Sequence, residues 1–148
     1  MNWQFNPRVA AIIQDADRNR ILLCRKDGLP FWMLPGGRIE GGERAVDALR
    51  REVREELGAD VKAIEFLWFI ENLFQVDGRA FHEYGLYFRC DLAGSFEEHL
   101  EFFGAESDLV FKWVPKVRLS EFDLRPHMLR EELMNLHGGM RYLEVRDP

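Results

Sequence analysis

The chain has 148 residues, a length that suits one domain with a core of its own. Hydrophobic residues make up 47% and charged ones 31%, an ordinary globular balance uninterrupted by any repeat, low-complexity tract or linker. With 20 basic residues against 26 acidic, a net charge of −6 and no run rich in Lys or Arg, the balance argues against duplex nucleic acid bound through a basic face, while a small polyanion neutralised by metal ions stays open.

No apolar stretch is long enough to span a bilayer. The opening residues MNWQFNPR lack the apolar run of a signal peptide, so the expectation is a cytoplasmic protein that meets no membrane. Cys24 and Cys90 stand alone in apolar surroundings with no CxxC pair, which predicts buried free thiols.

In chain order, RVAAII from Arg8 and RILLC from Arg20 flank the turn-rich DADRN, a pattern that predicts two paired strands. Arg8 opens the first and can point along it to a ligand or stay solvated. After KDGLP comes FWMLPGG, whose Phe31 and Trp32 lie beside a site or pack beneath the loop. Four of the seven residues from Gly36 to Gly42 are glycine, which lets backbone approach a ligand closely. A P-loop is excluded, because Gly42 falls where the phosphate-binding lysine belongs.

A helix is predicted from Glu43 to Leu57, ended by Gly58 as a C′ glycine. Val46, Leu49, Val53 and Leu57 form its apolar stripe, and Ala45 and Ala48 leave room on the carboxylate side. On that side Glu52, Glu55 and Glu56 fall at i, i+3 and i+4 and share one arc. Three like charges repel, and two of them sit in a last turn where the macrodipole disfavours anions. A divalent cation in front of them removes the conflict. Arg51 forms i, i+4 pairs with Asp47 and Glu55, as a group steadying a metal-binding carboxylate or as a surface ion pair.

Beyond the helix, two strand-like runs meet at Asp77-Gly78, a strong hairpin signal. A two-residue loop there pairs Val76 with Arg79, Phe74 with Phe81 and Asn72 with Glu83. Asn72, Phe74, Phe81 and Glu83 then share one face, as a pocket for a base or sugar or as a half-solvated hairpin. Residues 91–108 look like an acidic, irregular loop whose Glu97, Glu98, Glu101 and Glu106 are each a candidate catalytic base or a solvated side chain. The four histidines show no metal-ligand spacing. VFKWVP predicts a strand, LSEF a helical turn, Pro126 the start of a last helix, and MRYLEV a short strand or ordered tail.

Gly37, Glu43 and the run Arg51-Glu52-Val53-Arg54-Glu55-Glu56-Leu57-Gly58-Ala59 resemble the Nudix box, G-x5-E-x7-R-E-U-x-E-E-x-G-U. The one departure is Ala59, smaller than the usual aliphatic residue. LPGG before the box and WVP after it extend the likeness. The resemblance implies an α+β fold, an α/β/α sandwich with a mixed central sheet, box helix and C-terminal helix, as a single domain over residues 1–148. It implies a pyrophosphohydrolase that cleaves a nucleoside diphosphate linked to another moiety, with Mg²⁺ as cofactor and Mn²⁺ as a substitute. Carried over by position, Glu52, Glu55, Glu56 and the Gly36 carbonyl match the metal ligands. Glu43 and Arg51, which hold the box together, join Glu55 and Glu56 in the catalytic set, and Glu83 or an acidic-loop glutamate is an alternative base. Arg8, Arg38, Asn72, Phe74 and Glu83 are the expected substrate contacts. Trp32, Trp68, Phe74 and Phe81 offer rings for base stacking. The partner is a small nucleotide derivative, and a homodimer stays open. A non-catalytic nucleotide or ADP-ribose sensor on the same fold is the alternative. Prenyl diphosphate isomerisation and a bare acidic scaffold fit the intact box less well.

Overall fold

Asp77 and Gly78, at φ 49° and 75°, close the two-residue turn of a long hairpin, the mirror-image geometry that matches strand twist. It joins β4 (Val61–Val76) to β5 (Arg79–Leu92), and the register pairs Asn72 with Glu83, Phe74 with Phe81 and Val76 with Arg79. The computed structural model describes residues 1–106 and 108–148.

The other strands are β1 (Trp3–Ile12), β2 (Arg20–Lys26), β3 (Gly36–Arg38), β6 (Glu101–Phe103), β7 (Leu109–Pro115) and β8 (Arg141–Arg146). Five form a sheet in the order β3-β1-β5-β4-β8, and β2-β7-β6 form a second. β1 runs parallel to β5 and β4 parallel to β8, while β1/β3 and β4/β5 are antiparallel. The larger sheet is therefore mixed, as expected of an α+β chain.

The expected pairing of RVAAII with RILLC fails. β3 and β5 occupy both edges of β1, so β2 has no free edge to join and pairs with β7 instead. Among the described residues the backbones of the two runs pair only where they leave the intervening turn, through the Gln14/Ile21 bridge and the Leu22 N–H donated to the Ile13 carbonyl at 3.0 Å. The acidic stretch is also more ordered than its composition suggests: Glu101–Phe103 adds a third strand to β7, and Phe102 stacks on Phe111 at 5.6 Å.

Both faces of β1 are buried over its second half, from Val9 to Ile12. Val9, Ala11 and Ile13 pack with Ala48, Leu49, Val53 and Leu57 of helix α1 (Ala45–Leu57). Ala10 and Ile12 join Trp68, Ile70 and Tyr87 beneath Leu119, Leu124, Leu129 and Leu133 of the C-terminal segment. Burying each such aliphatic side chain contributes about 1.5–3 kcal/mol, so the helix and the C-terminal segment are held on opposite faces as the outer layers of the sandwich. Ala48 is fully buried; the space beside it holds the sheet and leaves none for a ligand.

α1 begins at Ala45, two residues later than expected. Arg44 is extended, and the Glu43 carboxylate instead accepts the Glu40 N–H at 3.2 Å. Gly58 ends the helix at φ 69°, donating its N–H to Arg54. The C-terminal helix shrinks to one turn, α2 (Leu129–Glu132), after a 3₁₀ turn over Lys116–Glu121. No side chain caps its N-terminus, and the His137-Gly138-Gly139 run leads the chain into β8. Cys24 and Cys90 are buried free thiols, each pushed up to about 12 by burial. Among the described residues no helix is long and apolar enough to cross a membrane.

Candidate active site

Where β3 meets β1, Gly36 has no room for a side chain. A Cβ at Gly36 would lie 2.1 Å from the Val9 carbonyl oxygen, and one at Gly37 would lie 2.4 Å from the Glu52 carboxylate. The missing side chains bring the β3 backbone against α1 and let carboxylates approach it. Gly36 N–H points at Glu56 Oε2 across 3.4 Å. Glu56 is only 6% exposed, although it occupies a helix whose other buried residues are apolar.

Burial pushes the Glu56 carboxyl up to about 8; the Arg8 charge opposes the rise, and the adjoining Glu52 carboxylate adds to it. Two acids held together with little water are hard to ionise together. Glu55 differs: its side chain is half exposed and turned to Arg51.

Arg51 organises the arrangement. Its Nε and Nη2 donate to the two Glu43 oxygens at 2.7 and 2.9 Å, Nη2 also to the Arg38 carbonyl at 3.0 Å, and Nη1 to Glu52 at 2.9 Å and Glu55 at 3.3 Å. The fork geometry of the guanidinium permits this, and a lysine could not reproduce it. The Arg51 bond holds the Glu43 carboxyl down to about 2. The i, i+4 pair with Glu55 forms as expected, whereas the pair with Asp47 does not, because the guanidinium is committed to Glu43 and the β3 backbone.

Among the described residues no three ligating side chains converge as a ready-made metal cage; Glu52 and Glu56 adjoin, and Glu55 is drawn aside by Arg51. The donor set still fits a hard divalent cation. Its groups are all carboxylate oxygens, and a cation would favour the ionised form of Glu56, which is buried beside the half-buried Glu52. Gly36 lies against Glu56 through its backbone N–H.

Beside this face opens a cleft of about 240 Å³ whose lining includes Arg8, Asn72, Phe74, Phe81 and Glu83. Arg8 lies between the two regions: it donates from Nη2 to the Leu34 carbonyl at 3.0 Å and acts electrostatically on both Glu83 and Glu56. Phe74 and Phe81 stack at 5.2 Å with an interplanar angle of 15°. Of the five expected substrate contacts, four line the cleft. Arg38 does not; it pairs with Arg8 across β1/β3, but its side chain is exposed and only its carbonyl is engaged.

Phe31 lines the cleft beneath Arg125, whose guanidinium sits 4.3 Å from the ring centroid. Trp32 and Trp68 belong to the core and offer no face to a base. Sequence reasoning missed Tyr87, Arg125 and Asp147 in the lining. Tyr87 continues the β5 alternation from Phe81 and Glu83, so strand period could have found it; the other two arrive from the distant C-terminal segment without a local signal.

The acidic-loop glutamates separate. Glu97 is taken by Arg20 and the Ala16 N–H. Glu98 is exposed, and Glu101 sits on β6 opposite Lys112. Glu106 follows Gly104 and Ala105, which dock on the end of α1: Ala105 N–H donates to the Glu56 carbonyl at 2.8 Å, and a Cβ on Gly104 would clash with the same oxygen.

Residues 4–132 match the NUDIX domain family. A nucleoside triphosphatase, NudI, of Escherichia coli is 39% identical over 72 residues, 45% of this chain and 51% of its own. An RNA pyrophosphohydrolase of Halorhodospira halophila is 40% identical over 63 residues, 40% of this chain and 34% of its own. The chain thus spans about half or less of the length of these curated relatives. In structure, the MutT protein of Bacillus halodurans superposes with a TM-score of 0.72 at 20% identity, over 95% of this chain and 89% of that one; this likeness is one of fold.

Proposed function

The chain belongs to the NUDIX domain family, and from that premise we propose that residues 1–148 form a single hydrolase domain that cleaves a pyrophosphate bond in a nucleoside diphosphate linked to another moiety. The observation that carries this reading is the Glu52/Glu56 pair, the buried Glu56 against Gly36 and the half-buried Glu52 against Gly37, braced by Arg51. Two adjoining acids, one of them buried, ionise together most readily when a cation sits between them. Relatives named for nucleoside triphosphatase and RNA pyrophosphohydrolase activities are consistent with a nucleotide phosphoanhydride as the substrate class.

Glu52, Glu55, Glu56 and the Gly36 carbonyl would hold Mg²⁺, with Mn²⁺ as a substitute, which when bound supplies charge neutralisation of the diphosphate and a water of lowered pKa. Arg51 keeps Glu52 oriented and Glu43 ionised, so the carboxylates meet the cation without rearranging the loop. Arg8, beside both Glu56 and the cleft, pairs with the diphosphate charge. The cleft takes the nucleoside, with Phe74 and Phe81 as the apolar wall. We assign proton removal from the attacking water to Glu55, Glu56 or Glu106, whose neighbour Ala105 docks on the end of α1, with Glu83 of the cleft as the alternative; Glu97 is engaged by Arg20. The partner is a small nucleotide derivative in the cytoplasm, and neither duplex nucleic acid nor membrane enters the scheme.

Incubation with a panel of nucleoside diphosphate derivatives and Mg²⁺, reading release of phosphomonoester, tests the proposal. Hydrolysis of at least one member, abolished by chelation, is the expected result. A pure sensor would bind and release nothing.

A further inference from the structure

Helix α1 covers only part of its face of the larger sheet. By strand alternation that face continues past Val9 to Phe5 and Trp3 on β1 and past Leu86 to Tyr84 on β5, with Phe69 on β4 and Tyr142 on β8. Phe5 meets Tyr84 at 4.8 Å between ring centroids, Tyr84 meets Phe69 at 5.1 Å, and Phe69 stacks on Tyr142 at 5.7 Å. Trp3, Phe5, Tyr84 and Tyr142 are 44, 48, 36 and 55% exposed. At about 150–250 Å² per ring, that is about 300–450 Å² of ring surface. The patch matches the largest found on ordinary monomers and supplies about half of what each partner gives a standard interface. The acid within it is already bonded: Tyr142 Oη donates to Glu71 Oε1 at 2.7 Å, and His82 Nε2 lies 2.6 Å from Oε2. Covering the patch therefore strands no carboxylate there.

Beside the rings, Glu144 and Arg146 lie on the Tyr142 side of β8, both exposed. Among the described residues the only β8 side chain in an ion pair is Arg141, with Glu132. A two-fold axis lying in the interface, across the strands at the level of Val145, reverses the order of these two charges, so each acid faces a base. The same rotation sets His82 over Tyr84 of the partner subunit and Phe5 over Pro7 of the partner subunit. A face that complements itself in charge and shape of surface suits a second copy of the same chain. We propose that this face pairs two copies as an isologous dimer, sheet against sheet. Both clefts stay open, because Phe74 and Phe81 line the cleft from the opposite face of the hairpin. The pairing is independent of the hydrolase reading.

Sedimentation velocity of the full chain from about 1 to 100 μM tests this. The expected species at the top of the range has twice the 17.5 kDa chain mass. Phe5→Ser and Glu144→Arg should each weaken the dimer at least about tenfold. The double variant Glu144→Arg/Arg146→Glu should return to within about threefold of wild type, because the reversed charges again meet their opposites. Circular dichroism checks that each variant is folded; should Phe5→Ser not fold, the charge series decides alone. A monomer at every concentration overturns the inference and leaves the face to a partner of different chemistry. An assembly larger than two overturns it as well, as does a dimer that either folded single variant leaves unchanged, or a double variant no tighter than Glu144→Arg.

Discussion

Glu56→Gln should stabilise the metal-free protein above neutral pH while removing its activity. In the folded chain the Glu56 carboxyl is raised from 4.5 to about 8, chiefly by burial and by Glu52 beside it. Between those values the folded state holds a proton that the unfolded chain has released, so stability falls as pH rises through this window and stays lower above it. At about 1.4 kcal/mol per pH unit the loss reaches a ceiling of about 5 kcal/mol, and local relaxation around the ionised group reduces it to about 2–4 kcal/mol. Glutamine keeps the shape and the acceptor facing Gly36 and removes the titration. The assay is thermal unfolding in chelator from pH 5 to 8.5 for both proteins. The other carboxylates titrate in both, so the difference in Tm reports Glu56 together with its interaction with Glu52. That difference should grow with pH in favour of the variant by roughly 5–15 °C. Parallel curves would refute the claim that the fold holds this acid pair under electrostatic stress. Adding Mg²⁺ at pH 8 should raise the wild-type Tm and leave the variant nearly unmoved.

Arg51→Met removes every bond to Glu43, Glu52, Glu55 and the β3 backbone; steady-state kinetics should show about 10–100-fold lower activity and a higher metal requirement, with Arg51→Lys rescuing little. Gly36→Ala sets a methyl 2.1 Å from the Val9 carbonyl and should cost about 2–4 kcal/mol in urea unfolding as β3 shifts. Phe74→Ala breaks the stacked pair in the cleft, raising KM about five- to tenfold with kcat within about threefold.

The box was legible because its chemistry is local. Charge spacing on one helix put Glu52, Glu55 and Glu56 on a common arc, and the Asp77-Gly78 turn fixed a register that carried Asn72 opposite Glu83 and Phe74 opposite Phe81. What escaped depends on long-range competition. β1 and β2 look like a hairpin until β3 and β5, from elsewhere in the chain, claim both edges of β1. Arg38 shares a register position with Arg8, yet one lies at an exposed edge strand and the other between two strands. Arg125 and Asp147 reach the cleft from the C-terminal segment, where composition carries no sign of a site. From the sequence Arg51 reads equally as a brace for a metal-binding carboxylate or as a surface ion pair; the folded β3 shows its five hydrogen bonds.

The central claim is that Glu52 and Glu56 form a metal-dependent pyrophosphatase centre. Its most direct test compares wild type, Glu52→Gln and Glu56→Gln on the nucleoside diphosphate panel across a Mg²⁺ titration, with circular dichroism as the folding control. The account predicts Mg²⁺-dependent release of phosphomonoester by the wild type and a loss of about 100-fold or more in kcat in each folded variant. Full Mg²⁺-dependent turnover by both variants would contradict it.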